Sequence, residues 1–363
     1  MRFKVNREQF VNVLSDFLLI LKENPIKPII VGLKIEVTKE DIILTGTNLE
    51  STLIKKVEGE ILEEGIIIIK PQLMLEYIKL LEIPQLEIYS DNNSLFVHQA
   101  EFVTMNTEEY PNIEEYLPIE VAKYNSDSFS KALEKTKFSS YQTADNLALN
   151  CVRVIFSQEK TEFVSTDSYR LTYLKENVKA IMNKEFSIPL ESVNALIKLL
   201  KDIGKEITVG FSDKYLIFTW ENNYYATRII ELPYPDFKQI LSYNAFDKFL
   251  EFNTPEYKSA LKKVLTVART SYDKKYGAIF DFKGKMLKIE SQSGKGKTVQ
   301  KVNMLKDGED FKGSLNIKFI LEFLSNISKN LVIKATNSSS MFKMEEFENS
   351  DYVYILMPLA LRD

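Results

Sequence analysis

The chain is short of the residues on which much protein chemistry is built. One cysteine, Cys151, and one histidine, His98, stand among 363 residues. A single cysteine excludes an intrachain disulfide, fits a reducing cytoplasm, and reads as a small buried residue. With only one histidine, placed on an alternating stretch that reads as strand, catalytic triads, most zinc sites and most proton shuttles lack their usual member. Long hydrophobic runs are missing too: the longest, such as 66–69, have strand length, so no membrane span is expected. Residues 1–20 contain Arg7, Glu8 and Asp16 where a signal peptide would need an unbroken apolar block. Nor is positive charge in excess. A net charge of -4 argues against a wholly basic nucleic-acid binder, although one basic surface on an acidic remainder still attracts phosphate through its local field.

What is present is a repeat. Residues 189–203, PLESVNALIKLLKDI, place Leu196, Leu199, Leu200 and Ile203 at helical spacing, with Lys198 and Lys201 directed elsewhere. The pattern recurs at 71–83, where Leu80 and Leu81 answer Leu199 and Leu200, and at 316–327, with Phe323 and Leu324. A second helix precedes each of these. Asn6 caps one carrying Phe10, Leu14, Phe17, Leu18 and Leu21, with Gln9 completing a capping-box pattern. Ser126 or Asp127 opens a weaker one with Phe129 and Leu133, and Thr254-Pro255 opens a third with Tyr257, Leu261, Val264, Leu265 and Ala268. Phe10 to Phe129 is 119 residues and Phe129 to Tyr257 is 128; Leu80 to Leu199 is 119 and Leu199 to Phe323 is 124. Such a period has the length of a domain and is too long for a solenoid repeat.

Each third reads helix, strands, helix, strands, so the class is α+β with antiparallel sheets. Strands are predicted at 30–37, 41–47, 52–58, 65–69, 86–89, 94–98 and 100–106, then at 152–156, 161–166, 170–174 and 207–211. In the last third they fall at 278–282, 286–290, 298–304, 331–335 and 352–357. Tyr110-Pro111-Asn112 closes the first unit and Tyr234-Pro235-Asp236 the second, 124 residues later. Three similar domains are therefore expected, at 1–118, 119–243 and 244–363, packed rigidly end to end. One junction rotation applied twice bends the chain into an arc, and an arc of half a turn closes into a ring when two copies join head to tail.

Five stretches carry a resemblance: LTGTNLE at 44–50, Tyr110-Pro111-Asn112, STDSYRL at 165–171, Tyr234-Pro235-Asp236-Phe237 and YILMPL at 354–359. In that order, along the whole chain, the sequence resembles the bacterial DNA polymerase III β subunit, the replication sliding clamp. The resemblance implies a homodimeric ring of six alike domains, with sheets outside and two helices per domain lining the hole. Such a ring encircles duplex DNA without reading sequence and tethers the replicative polymerase, the clamp loader and other partners, with no catalysis, cofactor or metal of its own. The physics is consistent. A tether that moves along DNA cannot read bases, because each good bidentate base contact contributes about 1 to 3 kcal/mol of position-dependent binding. Topology holds it, and a few diffuse lysines centre the duplex in a salt-dependent way.

The helices offer basic residues on their non-core faces: Lys131, Lys135 and Lys137; Lys198 and Lys201; Lys258, Lys262, Lys263 and Arg269. Taken singly, each also fits an ordinary solvated helix face. The resemblance further implies DNA contact through a first-domain loop arginine and an aromatic pair; the matching positions here hold Asn24, between Lys22 and Lys27, and Leu147-Ala148. It also implies a cleft between the middle and last domains that takes apolar anchors of a short partner peptide. The matching positions are Leu149, Thr166, Ser168, Tyr169, Arg170, Leu171, Pro235, Ile240, Met344, Ile355, Leu356, Met357, Pro358 and Leu359. Core packing explains Thr166 and part of Ile355 equally well. A buried Leu or Phe anchor contributes about 1.5 to 3 kcal/mol, partly offset by ordering the peptide, which makes the contact weak and exchangeable. Where the family places an arginine two residues after the proline, this chain has Ala360, with Arg362 later.

The implied dimer seam joins the strand at 100–106 edge to edge with the strand at 298–304. Phe102 matches an interface phenylalanine, and Glu101 would face Lys295, Lys297 and Lys301, inverting a charge arrangement found in the family. Two other readings compete. Glu108-Glu109 and Glu114-Glu115 could hold magnesium for phosphoryl chemistry, but they lie in a boundary loop without a phosphate-binding glycine motif. A repeat-built interaction scaffold with no role on DNA would share the fold.

Overall fold

A computed structural model describes residues 1–22, 28–113, 115–271 and 275–360. Asn24, Lys27, Glu114 and Arg362 lie outside them. The described helices are α1 (Arg7–Phe17), α2 (Pro71–Leu80), α3 (Ser126–Lys137), α4 (Leu190–Leu200), α5 (Lys238–Ser242), α6 (Thr254–Ala268) and α7 (Ile317–Leu324). All except α5 belong to the repeat. The starts of α1, α3 and α6 are 119 and 128 residues apart, and those of α2, α4 and α7 are 119 and 127 apart. None is long and apolar enough to cross a membrane.

The first helix of each repeat is seeded by asparagine. The side chains of Asn6, Asn125 and Asn253 accept from the backbone N–H of Gln9, Ser128 and Glu256 at 3.1, 3.0 and 3.1 Å, each satisfying an orphan donor of the first turn. The caps thus lie one residue before the expected Ser126 and Thr254. Inside these helices Phe10, Phe129 and Tyr257 occupy one slot, each wholly buried. The expected register of the second helices needs correction. Leu80 is 81% exposed whereas Leu199 is buried; the buried positions that correspond are Pro71, Leu190 and Ile317, then Met74, Val193 and Ile320.

The strands are antiparallel. By contact the chain clusters into two compact units: Met1–Lys131 with Phe156–Gln158 and Lys179–Ile230, and Ala132–Ile155 with Glu159–Val178 and Glu231–Asp363. The reason is that sheets run across the repeat boundaries. In the first unit Asn223–Arg228 pairs with Ser51–Val57, joining second-third and first-third strands into one eight-stranded sheet. In the second unit Arg170–Glu176 pairs with Asn349–Leu356, so Cys151–Phe156, Thr161–Thr166 and Arg170–Glu176 continue into Asn349–Leu356, Phe342–Glu346, Leu331–Ala335 and Lys248–Phe252.

Three expectations change locally. The stretch at 30–37 opens as a 3-10 turn, Pro28–Val31, before the strand Leu33–Val37; Gly32 between them packs so closely that a Cβ there would lie 2.5 Å from Ile68 Cγ2. The strands at 278–282 and 286–290 are one, Gly277–Ser293, with a register shift on either side of Gly284, whose φ is +52°; the extra residues lie on the partner strand, Gly296–Asn316. His98 is an exposed hairpin-turn residue with φ of +52°, not a strand residue.

Tyr257 is the odd member of its slot. Its ring stacks on Phe252 at 4.7 Å, but its fully buried hydroxyl has no partner among the described residues, and burial pushes the phenol's pKa up. An unpaired buried hydroxyl costs about 1–3 kcal/mol. Tyr257→Phe, which restores the residue of the other two repeats, is expected to raise the urea midpoint of unfolding; a lower midpoint would contradict this account.

Candidate functional site

Two turns are twins at a separation of 119 residues. Thr47 Oγ1 donates to the Ser51 carbonyl at 3.1 Å and accepts from the Leu49 N–H at 3.0 Å, while Asn48 Oδ1 accepts from the N–H groups of Glu50 and Ser51. Thr166 Oγ1 donates to the Arg170 carbonyl at 2.6 Å and accepts from the Ser168 N–H at 3.1 Å, while Asp167 Oδ1 accepts from those of Tyr169 and Arg170. Leu49 and Ser168 share a left-handed φ of 74° and 75°. These side-chain acceptors replace the backbone bonds that the turn cannot make. The closing tyrosines repeat in the same way: Tyr110 donates to the Thr45 carbonyl at 3.0 Å and Tyr234 to that of Val164 at 3.4 Å. Burial raises both phenols' pKa values, leaving them protonated donors.

In the second unit the turn at 166–170 stands beside the end of the strand Asn349–Leu356, and a cavity of about 410 Å³ opens there. Its floor continues into a buried cluster of Val164, Leu171, Phe237, Val353 and Ile355. Of the residues matched by resemblance, the structure brings together Thr166, Ser168, Arg170, Leu171, Ile240, Ile355 and Met357 around the cavity. Tyr243, Ser340 and Met341 also line it and were not anticipated. Tyr243 follows Ile240 by three residues, a same-face spacing legible in the sequence; Ser340 and Met341 come from a turn gathered by Asn337, which hydropathy does not reveal.

The remaining matched residues lie elsewhere. Leu356 and Met344 are buried on the opposite face of the sheet, because side chains alternate and only Ile355 and Met357 share the cavity side; Met344 stands opposite Tyr354. Leu149 is buried in its loop, Pro235 is exposed, and Pro358 and Leu359 are half-buried, with the Leu359 N–H bonded to the Ser314 carbonyl. Tyr169 is 67% exposed, and its carbonyl accepts from the Met357 N–H at 2.8 Å.

The candidate basic residues divide by exposure. Lys131, Lys198, Lys201, Lys262, Lys263 and Arg269 are exposed. Lys135 is half-buried 5.0 Å above the Tyr352 ring, Lys137 is half-buried, and Lys258 donates to the Leu324 carbonyl at 3.4 Å. Lys22 pairs with Glu191 at 2.5 Å. The strand Ala100–Val103 is the outer edge of a five-stranded sheet; Glu101 there accepts from the Ser94 hydroxyl at 2.6 Å, and Phe102 meets the Tyr77 ring edge-on at 5.9 Å. Val103 is 80% exposed. The strand Gly296–Asn316 pairs only with Gly277–Ser293 among the described residues; Lys297 is ion-paired to Glu290, and Lys301 is exposed opposite Lys288.

Arg170 organises the cavity wall. Its guanidinium is buried, bonded to Asp167 at 2.8 Å and to Glu322, and its Cζ lies 3.8 Å from the Phe319 ring centroid. Burial disfavours its charge, but Tyr354, Glu322 and Asp167 outweigh that, so its pKa is raised. Removing one partner of a buried pair costs about 3–5 kcal/mol. Since Glu322 remains 30% exposed, Arg170→Ala should fall toward the lower end of that range in urea unfolding, and a loss within measurement error would contradict the hub.

Comparison with known proteins accounts for the repeat. Residues 1–114 match the N-terminal domain of the DNA polymerase III beta subunit, 123–236 its central domain and 241–360 its C-terminal domain. A beta sliding clamp of Buchnera aphidicola is 25% identical, with 99% of this chain and all of that protein covered. The fold is similar to a DNA polymerase III beta subunit from Thermotoga maritima, with a TM-score of 0.93 at 21% identity over 99% of this chain and 100% of that one. It is also similar to a DnaN sliding clamp from Pseudomonas aeruginosa bound to griselimycin, with a TM-score of 0.92 at 19% identity and the same coverage. With all three domain models matched in order along almost its full length, the chain belongs to the family of the DNA polymerase III beta subunit.

Proposed function

We propose that the chain is a DNA sliding clamp of the cytoplasm. It acts without catalysis, as a processivity factor: two copies close head to tail around duplex DNA, and the ring tethers the replicative polymerase, the clamp loader and other proteins. The observation that carries this reading is the open apolar cavity at the end of the strand Asn349–Leu356, in a chain matched by the family's three domains. A cavity of about 410 Å³ walled by Leu171, Ile240, Ile355 and Met357 suits one or two apolar side chains of an extended peptide. The three domains are taken as 1–118, 119–243 and 244–363, near the edges of the matched segments. Attraction to phosphate then rests chiefly on Lys262, Lys263 and Arg269, exposed on α6 and its C-cap, with Lys131, Lys198 and Lys201 adding to it.

Self-association is proposed through two sheet edges, Ala100–Val103 of one copy and 296–304 of the other, whose outer backbone groups are unpaired among the described residues. Exposed Leu73 and Leu80 lie at helical spacing with Tyr77 beside Phe102 and supply apolar area for such a contact. Glu101 with Lys297 and Lys301 would fix its register. Glu101→Lys is expected to shift the sedimentation equilibrium toward monomer, and unchanged association would reject the pairing.

Retention on nicked circular plasmid in the presence of loading factors, lost on linearising the plasmid, is the expected mark of a topological clamp. Retention on neither form would favour a scaffold with no DNA role, and equal retention on both would mean DNA binding without a topological hold.

A further inference from the structure

The seam in the first unit, Asn223–Arg228 against Ser51–Val57, and the seam in the second, Asn349–Leu356 against Arg170–Glu176, follow one plan, and their hydrogen bonds establish which residues correspond. The turns at 47–51 and 166–170 match bond for bond. The Arg228 N–H donates to the Glu50 carbonyl at 2.8 Å, as the Met357 N–H does to that of Tyr169. Strand register then carries the pair Thr52–Ala226 onto Leu171–Ile355. One strand further out, Leu216 stands opposite Thr227 as Phe342 stands opposite Leu356, so Tyr215 corresponds to Met341. Counted from the closing tyrosines, Tyr116 stands six residues after Tyr110, where Ile240 stands six after Tyr234.

Ile240 and Met341 are walls of the open cleft in the second unit. In the first unit those two positions are Tyr116 and Tyr215, and their rings stack with centroids 5.0 Å apart and planes 19° from parallel. The stack packs on Ile54, Ile217, Tyr224 and Ala226, and the Tyr116 N–H donates to the Tyr224 hydroxyl at 3.3 Å. The exchange is complementary. The floor shrinks where Ala226 and Thr52 replace Ile355 and Leu171, while the walls grow by two phenol rings. At the rim, Glu50 and Arg228 stand 3.8 Å apart where the second cleft has Tyr169 and Met357.

We infer that the first seam is a second cleft of the same build, held shut by the chain's own Tyr116, whose ring fills the volume that an incoming apolar anchor would take in the open cleft. Of the two seams, the second therefore offers the open cleft, and the first takes a phenol-sized apolar ligand once Tyr116 is truncated. The geometry of the closed seam stands whether or not the open cleft binds peptides.

The test uses 4-methylphenol, the side chain of tyrosine as a free molecule. Full-length wild-type, Tyr116→Ala and Tyr215→Ala chains are titrated to 10 mM on the order of a ligand whose sites are weak, and thermal midpoints are compared. The variants should melt below the wild type and recover several degrees more than it does as 4-methylphenol rises; the wild-type response removes any contribution of the open cleft. If Tyr116→Ala does not fold unaided, its refolding yield with and without 4-methylphenol gives the same reading. Equal responses in the wild type and both variants, or no response in a folded Tyr116→Ala chain, would overturn the inference. Retention of the wild-type chain on nicked circular plasmid is a separate readout, so either proposal can fail alone.

Discussion

The structure depends on backbone pairing across its repeat boundaries. A strand of one repeat hydrogen-bonds to a strand of another, through Asn223–Arg228 with Ser51–Val57 in one unit and Arg170–Glu176 with Asn349–Leu356 in the other. Such ladders are made by N–H and C=O groups that every residue except proline carries, so they hold while side chains vary. The seam brings the turn at 166–170 to the side of Met357, and without it Ile240, Leu171 and Ile355 would have no common cavity to line. The same pairing explains why the units of contact cut across the repeats. A sheet shared by two repeats belongs to both.

Much of this was legible in the sequence, and what was missed has a physical pattern. Period and helices were readable because Phe10, Phe129 and Tyr257 are large, buried and in register. The turn pairs Thr47-Asn48 and Thr166-Asp167 were readable because their side chains bond locally. Leu80 misled because an exposed leucine has the same hydropathy as a buried one. Leu356 and Met344 carry the right chemistry for a cleft, yet the two-residue alternation of a sheet sends them to its other face. Met341 and Ser340 enter the cavity through a turn whose shape is set by Asn337 amide bonds, which no periodicity announces.

The two seams also illustrate how a duplicated architecture diverges. Around the first, Ser51, Ser192, Tyr225 and Thr227 form a buried cluster of hydroxyls linked at 2.7 to 3.3 Å. At the second, Arg170, Phe319, Tyr354 and Leu356 occupy the neighbouring ground, and a guanidinium replaces the hydroxyls. Both solutions satisfy their polar groups, as burial requires. They differ in what they leave at the surface: a stack of tyrosines in one case, an open apolar hollow in the other.

Arg170 shapes more than its own neighbourhood. A cation already neutralised by Asp167 and Glu322 projects little field beyond its immediate partners, so the hollow beside it meets an incoming chain almost as a neutral surface. Mobile ions in the medium would then loosen any hold on phosphate through Lys262, Lys263 and Arg269 while leaving adhesion at the hollow largely untouched. Grip on the polyanion and grip on the passenger protein would answer to different controls.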